Sequence, residues 1–215
     1  MNKTARTLLL VLGVAAAGLA SATTPEELVR PIQDQWAEIK YRQPEKVQAE
    51  QYNKLAAQAR KLVEANPGMA EPLIWEGIVV SSEAGAKGGL GALGLAKESR
   101  ALLDEALKIN DKALAGSAYT SLATLYAKVP GWPIGFGDKK KAEEYFKKAL
   151  AINPNGIDPN FFYGEYLIDR DRAAEGKQYL ENALKASPRP GRELADSGRR
   201  QEIQALLAKL NKEGK

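Results

Sequence analysis

From Glu26 onward, apolar residues recur at i, i+3, i+4 and i+7 rather than in alternation, the period of helices buried along one face. Ala142, Phe146, Ala149 and Leu150 form one stripe, which ends at Asn153-Pro154. Gly176, Leu180, Ala183 and Leu184 repeat it and end at Ser187-Pro188, with Pro188 falling 34 residues after Pro154. Upstream, Leu55, Ala59 and Leu62 precede Asn66-Pro67, and Ser99, Leu103, Ala106 and Leu107 precede Asn110-Asp111. Each stripe follows a helix with a small residue among bulky ones: Gly77 after Leu73-Ile74-Trp75-Glu76, Ala123 after Leu122, and Gly164 after Phe161-Phe162-Tyr163. A glycine inside a helix costs about 1 kcal/mol in propensity, so its presence points to close packing by a second helix. The ends carry their own signals. Thr24-Pro25-Glu26-Glu27 has the form of a capping box with proline at the first helical position, ahead of an apolar face of Ile32, Trp36 and Ile39. At the other end, Ile203, Leu206, Leu207 and Leu210 give a narrow stripe on an otherwise polar helix.

These offsets resemble the tetratricopeptide repeat, a 34-residue helix–turn–helix unit with small residues at its contact points and a terminal proline. The resemblance implies an all-α helical solenoid of paired antiparallel helices, with units over 26–67, 70–111, 114–154 and 157–188 and a capping helix over 194–212. Pro67 to Asp111 spans 44 residues and Asp111 to Pro154 spans 43, so two units carry insertions, assigned to Gly85–Gly94 and Val129–Gly137, on the same edge of the array. In such arrays the first helix of each unit lines the concave groove. That implies a groove of Ile74 and Ile78, then Tyr119 and Tyr126, then Phe161, Glu165 and Ile168. This wall is more apolar than a clamp for carboxylate tails, and suits a protein or peptide partner or a hydrophobic small ligand.

Composition narrows the chemistry. The chain has neither cysteine nor histidine, which excludes disulfides, thiolate metal sites, cysteine nucleophiles and histidine general bases. Its acidic residues are scattered on polar helix faces near lysine or arginine, so no catalytic pair, metal site or cofactor is expected. Residues 1–22 have the form of a secretory signal peptide: Lys3 and Arg6, an apolar run from Leu8 to Leu19, then Ala20-Ser21-Ala22. The expected protein is exported and periplasmic, without a stable membrane span. Without Lys3 and Arg6 it has 29 basic and 27 acidic side chains, interspersed, which gives no footprint for nucleic acid.

Three segments merit a functional reading. Gly89-Leu90-Gly91-Ala92-Leu93-Gly94 matches G-x-G-x-x-G, but the dinucleotide fingerprint needs a preceding strand, and Pro72–Ala84 has helical periodicity. An inserted loop is the simpler reading; a second is an anion site built from Gly89, Gly91, Lys97 and Arg100 at a helix N-terminus. In Val129–Gly137, Trp132, Ile134 and Phe136 either fold back as a plug or offer an aromatic anchor to a partner. Arg189, Arg192, Arg199 and Arg200 read as a solvated basic patch, or as a dock for an acidic partner surface or anionic lipid heads. The expectation is a non-catalytic exported scaffold that binds a protein or peptide through its concave surface. The irregular repeats and apolar inserts are also somewhat similar to the periplasmic T-component of tripartite (TRAP) transport systems, which implies ligand handling for a transporter. An envelope assembly factor is a third reading.

Overall fold

The structure, a computed structural model, describes residues 23–214, so the leader expected over 1–22 lies outside the described residues. Among the described residues there are nine helices and no strand. They are α1 (Pro25–Arg42), α2 (Glu45–Ala65), α3 (Ala70–Lys87), α4 (Gly89–Ile109), α5 (Ala113–Lys128), α6 (Lys139–Ile152), α7 (Ile157–Ile168), α8 (Ala173–Leu184) and α9 (Glu193–Lys212). No described helix is long and apolar enough to cross a membrane.

Local chemistry sets the helix starts. The Thr24 amide donates to Glu27 Oε2 at 2.8 Å and the Glu27 amide donates to Thr24 Oγ1 at 3.1 Å, so the capping box opens α1, with Pro25 where no donor is needed. Pro31 sits inside α1 without ending it. Asp138 opens α6 by accepting from the amides of Lys140 and Lys141.

The helices form two layers, as expected for an all-α tetratricopeptide-like solenoid. Antiparallel pairs α3/α4, α5/α6 and α7/α8 pack tightly, and α2 packs chiefly on α3. The odd-numbered helices touch in succession, α1 on α3, α3 on α5, α5 on α7 and α7 on α9, and α9 returns to touch α1. The inner layer is therefore a closed ring. The expected stripes are buried: Ala142, Phe146 and Ala149 on α6, Leu180 and Ala183 on α8, Ile203 and Leu210 on α9.

The first insertion is not a loop. Gly85–Gly94 is absorbed into longer helices: α3 runs to Lys87 and α4 starts at Gly89, with the chain reversing at Gly88 and Gly89. Gly88 has φ 62° and ψ −177°, a conformation open in practice only to glycine, and Gly89 follows with φ 61°, so two glycines do the work of a turn. Burial of Ala84 and Ala96 on either side outweighs the poor helix propensity of the intervening glycines. The second insertion, by contrast, leaves the helices. It returns through a turn in which the Ile134 and Gly135 amides donate to Gly131 O, and the Gly137 amide donates to Pro130 O.

The glycine at each pair contact separates tight from slack positions. A methyl on Gly176 would lie 2.7 Å from Gly164 O on α7, a backbone atom that cannot step aside. A methyl on Gly94 would meet nothing within 4 Å. Gly176→Ala should lower stability by about 1–3 kcal/mol through overpacking, whereas Gly94→Ala should raise it by about 0.5–1 kcal/mol through helix propensity. Urea unfolding of both variants checks the pair of signs.

Candidate functional site

The ring encloses a cavity of about 770 Å³, within the range that holds small molecules. Its wall comes from the inner helices, the start of α4, and the turn before α9. One side is aromatic: Trp36 and Tyr41 of α1 and Trp75 of α3. Trp36 sits edge-on to Trp75 with ring centres 6.0 Å apart, and its Nε1 donates to Ser82 Oγ at 2.9 Å, which fixes the indole against α3. The opposite side is small and weakly polar, with Ser117, Thr120, Ser121 and Thr124 of α5 facing Ala92, Leu93 and Ala96 of α4.

One end is cationic. Asp158 on α7 accepts from Arg189 Nη1 at 2.8 Å and from Arg199 Nε at 3.0 Å. Arg189 also pairs with Asp196 at 2.6 Å, and Arg199 with Glu202 at 2.6 Å. Arg199 is 5% exposed, and its guanidinium carbon lies 4.4 Å from the Phe161 ring centre and 4.5 Å from that of Phe162. Burial alone would raise the Asp158 carboxyl, but the Arg189 and Arg199 guanidiniums outweigh it and hold it well below the usual carboxylate range. On α1, the Tyr41 hydroxyl donates to Glu202 at 3.3 Å and Lys40 pairs with Glu202 at 3.4 Å, while Arg30 Nη1 donates to Pro190 O at 2.8 Å.

The arginines are thus not a solvated basic patch. Arg189 and Arg199 carry α9 onto α7 and α1, and Arg200 donates to the carbonyls of Leu184 and Ala186 at the end of α8. The acids that dictate this, Asp158 and Glu202, lie 31 and 3 residues from their arginine partners. The distant one, carrying most of the closure, leaves no local pattern.

The residues expected in the groove divide. Ile78 lines the cavity, whereas Ile74, Tyr126 and Phe161 are buried in the core, and Tyr119 packs against Tyr145 outside the cavity. Glu165 is bound to Lys128 at 3.4 Å. The first helices do supply the wall, but through the faces carrying Trp75, Thr120 and Phe162, each one position on from the residue expected. The anion set does not assemble. Lys97 lies eight residues along α4 from Gly89, about 12 Å at the helical rise, and the Arg100 guanidinium covers the Phe136 ring at 4.4 Å. G-x-G-x-x-G sits within and at the start of a helix that follows another helix, with no strand before it.

The second insertion is both plug and protrusion. Phe136 folds back, edge-on to Tyr126 at 5.4 Å, while Trp132 is 90% exposed and Ile134, at the cavity rim, 64% exposed. A methyl on Gly135 would lie 3.3 Å from Leu93 Cδ1, so the two insertions do meet at one edge of the ring. Acids in apolar surroundings also exist. Glu76 is buried, which raises its carboxyl, against the lowering effect of Arg60 at 3.0 Å. Its guanidinium partner makes it structural, and it lies off the cavity wall.

Asp158→Asn should destabilise the fold by about 2–3 kcal/mol at neutral pH, because it leaves Arg199 buried with less compensation. The stability Asp158 contributes is complete above the unfolded aspartate value, about pH 4, and fades as acid protonates the folded carboxyl. Between pH 7 and pH 3 the wild type should therefore lose more stability than Asp158→Asn, as measured by urea titration at both values.

No curated protein matches the chain. A family model described as tetratricopeptide repeat matches residues 134–155, which cover the end of the second insertion, α6 and the turn after it. The match covers part of one repeat unit, and the two layers of paired helices around it have the arrangement of a tetratricopeptide-like solenoid.

Proposed function

We infer that this chain is a non-enzymatic protein-interaction scaffold, the general role of tetratricopeptide repeats. We propose that this chain combines that role with ligand handling: it holds a small amphiphilic molecule in its interior and offers the exposed loop to a protein partner, in the periplasm as an accessory of transport. The observation that carries this reading is the closure of the inner layer. Docking of α9 on α1 converts the concave face into a partly open cavity of about 770 Å³, the size of a small-molecule site rather than of a folded partner. What a partner can reach is the rim, where Trp132 and Ile134 protrude from a loop stiffened by Pro130 and Pro133. Exposed aromatic side chains held in place at little entropic cost are efficient contact points.

Ser121→Trp, on the α5 wall, should fill the cavity while leaving the ion pairs of the ring intact. Native mass spectrometry of the exported protein from its own host should show a bound small organic molecule, absent from Ser121→Trp. A clean mass in both would remove the ligand reading. Trp132→Ala should keep both the ligand and the melting temperature but reduce capture of the partner; a large loss of stability would instead make Trp132 part of the packing.

A further inference from the structure

The chemical class of the occupant follows from charge accounting at the cationic end, and rests on the reading of the cavity as a ligand site. Among the charged side chains on the wall, Asp158 is the one acid, against Lys128, Arg189, Arg192 and Arg199. Three of these cations are committed. Lys128 is held by Asp169 at 2.9 Å and Glu165 at 3.4 Å, Arg189 by Asp158 and Asp196, and Arg199 by Asp158 and Glu202. Arg192 makes no ion pair and its side chain donates to no acceptor among the described residues; its guanidinium lies over the Trp75 ring at 5.1 Å. Half-burial, and then the charge of Arg189, lower Arg192 to about 10 against the attraction of Asp158 and Asp196, both of which are ion-paired with Arg189.

We infer that the cavity takes an organic monoanion, a single carboxylate on an extended apolar body, with the carboxylate paired to Arg192 and the body along the Trp36–Trp75 wall. A planar guanidinium offers a carboxylate two parallel N–H donors. Stacking on Trp75 holds that fork in place at one face and leaves its edge free. One unpaired cation neutralises one negative charge, so a dianionic phosphate or a dicarboxylate would enter with a charge unmatched. The apolar remainder of the wall and the volume suit a body of roughly ten or more carbons rather than a small hydrophilic acid.

Calorimetric titration of the full mature protein with decanoate, 1-decanol and decyl phosphate tests this. Decanoate should bind at least tenfold more tightly than 1-decanol and more tightly than decyl phosphate. Arg192→Gln should weaken decanoate at least tenfold, leave 1-decanol unchanged and keep the melting temperature, and Arg192→Lys should recover part of the loss. Equal affinity for decanoate and 1-decanol in the wild type would overturn the monoanion while leaving a ligand-binding cavity in place, and needs no variant to fold. Tighter binding of decyl phosphate would overturn the carboxylate. Binding of none of the three would overturn the inference, and cavity loading in Ser121→Trp controls would then decide the broader reading separately.

Discussion

The Asp158 carboxylate is the constraint on which the closed ring depends. It sits on α7 and accepts from two arginines, one in the turn before α9 and one a turn and a half into it, so it fixes both the entry point and the roll of the last helix. Taking a carboxylate and two guanidiniums out of water is costly, and their attraction returns little net stability. What such a network does is specify: any other docking of α9 would take Arg199 away from Asp158 and leave it with Glu202 alone. The steric fit agrees with the charge fit, since a methyl on Gly198 would lie 2.3 Å from Tyr41 Cδ1, so only glycine allows α9 this close to α1.

Closure then follows from lengths as well as charges. The middle helices α3 and α4 have 18 and 21 residues, against 12 each for α7 and α8, so the array is deep on one side and shallow on the other. A regular repeat of short pairs would stack into an open coil with a solvent-filled groove. Here the long pair supplies wall surface beyond its own packing contacts, and small side chains on α4 and α5 leave the interior unfilled. Empty apolar volume weakens a fold through lost dispersion and cavity terms. A ring that keeps about 770 Å³ open has the form of a container rather than of a core.

Local period made most of the fold legible. Stripes such as Ala142, Phe146 and Ala149 report one buried face of an amphipathic helix, and Gly164 with Gly176 reports a backbone contact. Phase was harder. Helix α3 buries Leu73, Ile74 and Trp75 in succession, so no polar face distinguishes the side turned to α4 from the side turned to the cavity. On this helix the expected Ile74 is therefore in the core and Trp75, one position on, is on the wall, while Ile78 lines the cavity as expected. Glycine content concealed the continuity of α3 and α4, because propensity is weak beside burial. The arginine cluster looked like a surface feature, since its partner Asp158 lies 31 residues from Arg189 and 41 from Arg199.

Arg192 is the residue that closure does not explain. If the cationic end existed only to seat α9, Arg189 and Arg199 would suffice, as each reaches an acid on α9 and Asp158 on α7. A third guanidinium there, half-buried beside Arg189 and with no ion pair of its own, adds repulsion and desolvation that its contact with Trp75 and the nearby Asp158 and Asp196 only partly offset. A leucine or methionine at the same position would cover Trp75 at lower electrostatic cost. Such a cost is kept where a charge has work to do beyond packing, and destabilising groups of this kind concentrate at binding sites. The acids nearest to it, Asp158 and Asp196, are ion-paired with Arg189 and Arg199, so Arg192 is the cation at this end that an incoming anion would find without an ion-pair partner.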